Sequence, residues 1–198
     1  DGLGHIGDDD IFYNCNKGAD FSYITGLTKF GIEKIPPLVG RGVLVNMAKY
    51  FDIISMEGGQ GITRKNIQEA AKEQNINFKK GDIILFHTGW TDAKLKSSPE
   101  EWGSTIPGIT NDAAVYLASL QPMAVGADTW GLGAVPPIAG DMVYYDHVTL
   151  IKENGIYILE TMNTGKLAND NVSEFMFVLG QPKIKGAVQM IINPVALW

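Results

Sequence analysis

Only one cysteine, Cys15, occurs in the 198 residues, so no disulfide can close within the chain and no cysteine-based zinc cluster can be built. That usage suits a reducing cytoplasm, the compartment expected here unless a leader precedes Asp1. No apolar run approaches the ~20 residues that a membrane-spanning helix requires, and no membrane partner is expected. Cations are scarce as well: 16 Lys and Arg against 22 Asp and Glu leave a net charge of −6. Binding phosphates needs clustered Lys and Arg, so no nucleic-acid partner is expected and a small molecule takes its place. The P-loop, the dinucleotide fingerprint and the G-x-S-x-G nucleophile elbow are all missing.

What is present reads as one mixed α/β domain, because short apolar strands alternate with amphipathic helices and no linker or internal repeat interrupts them. Strands are predicted at Gly42 to Met47, Asp82 to Thr88, Met123 to Gly126, Ile156 to Glu160, Glu174 to Leu179 and Ile184 to Ile192. Helices are predicted near Thr63 to Asn75, with Ile67, Ala70 and Ala71 inward, and near Asn111 to Leu120, with Ala114, Val115, Leu117 and Ala118 as the packing face. A further short helix is expected to open at His147 and end before Gly155, a C-cap glycine. From Gly7 to Val39 the chain reads as a long ordered loop, with Asp8, Asp9 and Asp10 as a solvated acidic turn.

Histidine is also rare. His5, His87 and His147 are the whole supply, so any reaction that needs imidazole draws on these three. His87 lies mid-strand among apolar neighbours and is expected to be a satisfied core histidine. At the start, Asp1-Gly2-Leu3-Gly4-His5 sets a carboxylate and an imidazole four positions apart on glycine-bracketed backbone, a segment suited to close approach. Asp1, His5, His147 and Glu160 together are oxygen and nitrogen donors of the type that holds zinc or manganese, although only the fold can join the two halves. Trp90 and Trp130 follow predicted strand ends, where they either meet an aromatic substrate or pack the interior.

Several segments carry a family resemblance. Asp1-Gly2-Leu3-Gly4-His5 matches the end of the motif H-x-G-T-H-x-D-x-P-x-H, with Leu3 at the Pro position. Arg41-Gly42-Val43-Leu44, Gly81 to Leu85, His87-Thr88-Gly89-Trp90, Gly126-Ala127-Asp128-Thr129, His147, Gly155-Ile156, Leu159-Glu160 and Lys185-Gly186-Ala187 follow in order. On these the chain resembles the cyclase family of metal-dependent hydrolases, which includes bacterial kynurenine formamidase and isatin hydrolase. The histidines and Gly-Thr that open the motif are not in the sequence, and residues upstream of Asp1 are expected to complete it.

The resemblance implies a single-domain swivelling β/β/α fold with a mixed sheet, a divalent metal, zinc or manganese, and hydrolysis of a small amide, cyclic amide or lactone. It implies that Asp1, His147 and Glu160 ligate the metal, and that His5 is the general acid or base. It also implies a homodimer or higher homo-oligomer. A rival expectation is a non-catalytic binding or scaffold member with an incomplete metal site.

Overall fold

The computed structural model describes residues 1–198. Strand β1, Leu38–Asn46, starts earlier than its apolar run, because Leu38 to Arg41 already pair with a neighbouring strand. It ends one residue sooner, since Asn46 caps the helical turn Met47–Tyr50 by accepting from the Lys49 N–H. Helix α1, Arg64–Glu73, begins in a capping box between Thr63 and Asn66 and buries Ile67, Ala70 and Ala71, as its periodicity predicts. Strand β2, Ile83–His87, is buried along its whole length.

Helix α2, Asn111–Ser119, corrects one prediction. Ala113, Ala114, Leu117 and Ala118 form its buried stripe, while Val115 is 52% exposed. Each helical residue turns about 100°, which carries position 115 past the edge of that stripe. Strand β3 is Ala124–Ala127. His147 was expected to open a helix; it instead closes the single α turn Tyr145–His147, and the chain continues as π-helical Val148–Glu153. Gly155 follows with φ +67°, the left-handed stop that glycine supplies.

Strand β4, Tyr157–Leu159, delivers Glu160 at its end, and β5, Glu174–Leu179, follows. The last predicted strand, Ile184 to Ile192, does not form. Its backbone bonds singly to the N-terminal loops, where Gly186, Ala187 and Val188 carbonyls accept from Leu27, Ile32 and Gly2, so no ladder can run along it. The final strand is β6, Val195–Leu197.

The sheet order is β4-β3-β2-β1-β5-β6. The first four strands are parallel, and β5 and β6 join antiparallel. Successive side chains alternate between faces. Val43, Val45, Ile84, Phe86, Val125 and Ile158 pack under α1 and α2. Leu44, Leu85, Leu159, Phe175 and Phe177 line the opposite face. The fold is therefore mixed α/β with a six-stranded mixed sheet, as expected.

The stretch from Gly7 to Val39 is less loop-like than predicted. Ile11–Phe12 pairs with Asn16–Lys17 and Ser22–Tyr23 with Gly26–Leu27, while Val39 belongs to β1. Asp8, Asp9 and Asp10 do form an exposed acidic turn. No helix is long and apolar enough to cross a membrane.

Candidate metal centre

The edge strand β4 sets the position of the site. The backbone nitrogen of Asp1 donates to the Ile158 carbonyl oxygen at 2.7 Å, which lays the first residue beside the strand that ends at Glu160. The His5 N–H then donates to the Gly2 carbonyl at 3.1 Å, folding the imidazole back over Asp1. Close packing at Gly4 permits the turn, because a Cβ there would stand 2.4 Å from Leu27 Cδ1. His147 enters from the α turn on the other side.

Four side chains predicted from sequence meet here. Asp1 Oδ2 lies 3.5 Å from His147 Nε2 and 3.6 Å from His5 Nε2. Glu160 Oε1 lies 3.2 Å from the same His147 nitrogen. The donor atoms of Asp1, His5 and His147 all fall within 4.8 Å of one another. Burial divides the set: the Asp1 and His147 side chains are 5% and 6% exposed, whereas His5 is 29% exposed.

These residues fit a divalent ion. Asp1 Oδ2 is buried without a hydrogen-bond partner, and an orphaned buried carboxylate oxygen is expensive unless a cation satisfies it. Donors on a tetrahedral ion at about 2.1 Å stand about 3.4 Å apart, close to the separations of His147 Nε2 from Asp1 Oδ2 and from Glu160 Oε1.

The electrostatics follow from the same contacts. Burial alone would depress the pKa of His147, but hydrogen bonds to Asp146 and Glu160 and their negative charge overcome it and raise the pKa to about 9. His5 moves the other way. Burial lowers its pKa and the neighbouring His147 cation lowers it further, which leaves the ring neutral at pH 7.

Asp146 was not among the sequence candidates. It is 3% exposed, and its Oδ2 lies 3.0 Å from His147 Nδ1, so it holds that nitrogen's proton and aims Nε2 at Asp1 and Glu160. The one available signal was the Asp146-His147 pair itself, an acid adjacent to a candidate ligand.

His87 is buried and its Nδ1 lies 2.8 Å from Thr164 Oγ1, the satisfied core histidine expected. Asp128 beside it accepts from Thr88 N, Thr88 Oγ1 and Gly89 N, and burial raises its pKa. Of its two expected roles, Trp90 takes interior packing and not substrate contact. The left-handed Gly89, φ +76°, turns the indole inward, where it is fully buried against Gly58 and exposes no face to a ligand. Trp130 is half-buried, and its indole N–H donates to the Trp102 carbonyl at 2.7 Å.

The Cyclase family model matches residues 1–134 of the chain. Among solved structures, the chain is similar to the crystal structure of a novel cyclase, with 28% identity, a TM-score of 0.89, and coverage of 100% of this chain and 67% of that one. It is also similar to isatin hydrolase A from Labrenzia aggregata, bound to benzyl benzoate, at 18% identity and TM-score 0.65, covering 88% of this chain and 69% of that one. A potential metal-dependent hydrolase with cyclase activity matches at 21% identity and TM-score 0.58, covering 80% and 65%. A comparison with curated proteins finds no match.

Proposed function

The chain belongs to the cyclase family, and from that premise we propose that it is a metal-dependent hydrolase of a small amide, cyclic amide or lactone. The observation that carries this reading is the unpartnered, buried Oδ2 of Asp1, 3.5 Å from a His147 Nε2 that itself lies 3.2 Å from Glu160 Oε1.

In this reading Asp1, His147 and Glu160 hold a zinc or manganese ion. The bound ion would supply Lewis acidity and bring the pKa of water towards neutrality. Asp146 keeps the His147 Nδ1 proton and so leaves Nε2 as the donor nitrogen. His5 is the general acid and base, because it is the neutral imidazole with access to solvent, able to take a proton from attacking water and return it to the departing nitrogen or oxygen. The isatin hydrolases among the similar structures favour a cyclic amide.

Assembly into a homodimer or larger oligomer belongs to the same reading. It rests on the family resemblance, and sedimentation measures it.

Metal analysis of the purified protein tests the proposal. The expected result is at least one equivalent of zinc or manganese, together with turnover of N-formyl or lactam substrates. Less than a tenth of an equivalent, with no gain on adding either metal, overturns it.

A further inference from the structure

At the end of β4 remote from Glu160, a cleft of about 580 Å³ lies between the C-terminal half of α2 and the π-helical segment Val148–Glu153. Three strand steps separate its Tyr157 from Glu160, about 10 Å at about 3.3 Å per residue, which sets the cleft apart from the metal centre. Val115, Ala118, Met123 and Ile156 supply its apolar wall. That wall gives a place to Val115, the residue of α2 that stands outside the core stripe.

The polar side of the cleft is rich in acceptors and negative. Thr149 lines it at 2% exposure, and its Oγ1 has no hydrogen-bond partner. A threonine inside a helix ordinarily returns its hydroxyl to a carbonyl three or four residues back, and a buried hydroxyl that makes no such bond is incomplete without a partner. Asn154 donates its Nδ2 to the Thr149 carbonyl at 2.7 Å, which leaves its Oδ1 as an acceptor. α2 ends at the cleft, and the last carbonyls of a helix carry partial negative charge. Glu153 adds a full negative charge and is the only charged residue of the lining.

We propose that this cleft is a second binding site, taking a primary ammonium group carried on a short apolar chain. The ammonium offers three N–H donors to the acceptors of Thr149, Asn154 and Glu153, while the chain lies on Val115, Met123 and Ile156. A phosphate or carboxylate would be repelled by Glu153 and the end of α2, and a plain alkyl group would leave the Thr149 hydroxyl alone. The volume falls within the range of about 300–1,000 Å³ typical of ligand sites. The segment that holds Thr149 begins directly after His147, and the strand that leaves the cleft ends at Glu160. Occupancy therefore braces both downstream donors; this coupling rests on the metal-dependent reading above, whereas the ammonium site does not.

Titration calorimetry at pH 7 without added metal compares pentylammonium with 1-pentanol on wild type, Thr149→Val and Glu153→Gln. Thr149→Val keeps the outline of the side chain and deletes a hydroxyl that has no partner, so the melting temperature should hold or rise, and circular dichroism checks the fold of both variants. Saturable binding of pentylammonium to wild type is expected, with 1-pentanol at least tenfold weaker and each variant weakened at least threefold. No saturable binding to wild type, equal binding of 1-pentanol, or equal binding to either folded variant overturns the site.

A second measurement reads zinc affinity by chelator competition in the presence and absence of saturating pentylammonium, with 1-pentanol as the control. Affinity should rise at least threefold with pentylammonium and stay level with 1-pentanol. No rise, or an equal rise with both, overturns the coupling to the metal centre. If wild type takes up no zinc, the metal-dependent reading has failed, and the calorimetry still decides the cleft.

Discussion

Asp146 and His147 are neighbours in the chain, yet the carboxylate of one reaches back to bond the ring of the other, Oδ2 to Nδ1, at 3.0 Å. Residues adjacent on a helix ordinarily point about 100° apart. Here the α turn is one turn long and passes into a π-helix at once, so the two side chains share one buried pocket. Asp146→Asn should loosen this hold, weakening zinc or manganese binding 10- to 100-fold while leaving the fold intact. Titration with a competing chelator measures the affinity, and an unchanged value would remove Asp146 from its positioning role.

In the proposed centre, metal and proton compete for His147. Its pKa is raised to about 9 by Asp146 and Glu160 against the effect of burial, so the empty site carries an imidazolium at neutral pH. Metal affinity should therefore rise about tenfold per pH unit between pH 6.5 and pH 9, with one proton released per ion. Calorimetry in buffers of differing ionisation enthalpy counts the proton, and a flat profile contradicts the coupling.

The same shift governs the stability of the metal-free protein. A histidine whose pKa is higher folded than unfolded stabilises the fold fully below its unfolded value of about 6.5, and that contribution disappears as pH climbs through about 9. Up to about 3 kcal/mol should be lost across this window, read as a fall in urea midpoint from pH 6 to pH 9.5. His147→Gln should flatten the curve.

His5→Ala should lower turnover by about 10²- to 10⁴-fold, the usual effect of removing a general acid or base, while bound metal stays near the wild-type level. Burial holds the His5 pKa down, so the wild-type kcat/KM at saturating metal should stay level as pH falls past about 6.5. Full activity in the alanine variant, or loss of the metal along with the activity, would assign His5 elsewhere.

Away from the site, Asp128→Ala should destabilise the protein by about 3 kcal/mol. The change strands three buried donors, Thr88 N, Thr88 Oγ1 and Gly89 N, that now share one carboxylate. Chemical denaturation measures it, and a loss below about 1 kcal/mol would mean that water replaces the carboxylate.

Much of the architecture was legible because it rests on local pattern. The buried run of β2, the stripe of α1 with its Thr63 cap, and the stop at Gly155 are written in periodicity and turn chemistry. The donor residues were legible by type and by family resemblance, but their meeting was not, since Asp1 reaches His147 and Glu160 only because its backbone docks on Ile158. Non-local backbone pairing also hid the fate of Ile184 to Ile192, which is apolar enough for a strand but is bonded piecemeal to the N-terminal loops. The choice between Trp90's two roles was not legible, because the direction of a side chain after a left-handed glycine depends on what lies beneath it. Asp146 was overlooked because sequence spacing says little about two adjacent residues at the end of so short a helix.

Strand β4 is the outer member of the sheet, and a strand in that position presents unpaired backbone groups that recruit other chains. The Asp1 nitrogen occupies one of those groups, the Ile158 carbonyl, so the residue that offers a donor oxygen also covers part of this border. Stripping the ion and repelling that residue should therefore uncover a sticky margin, which makes chelator-induced turbidity a simple sign that chemistry and colloidal behaviour share one anchor.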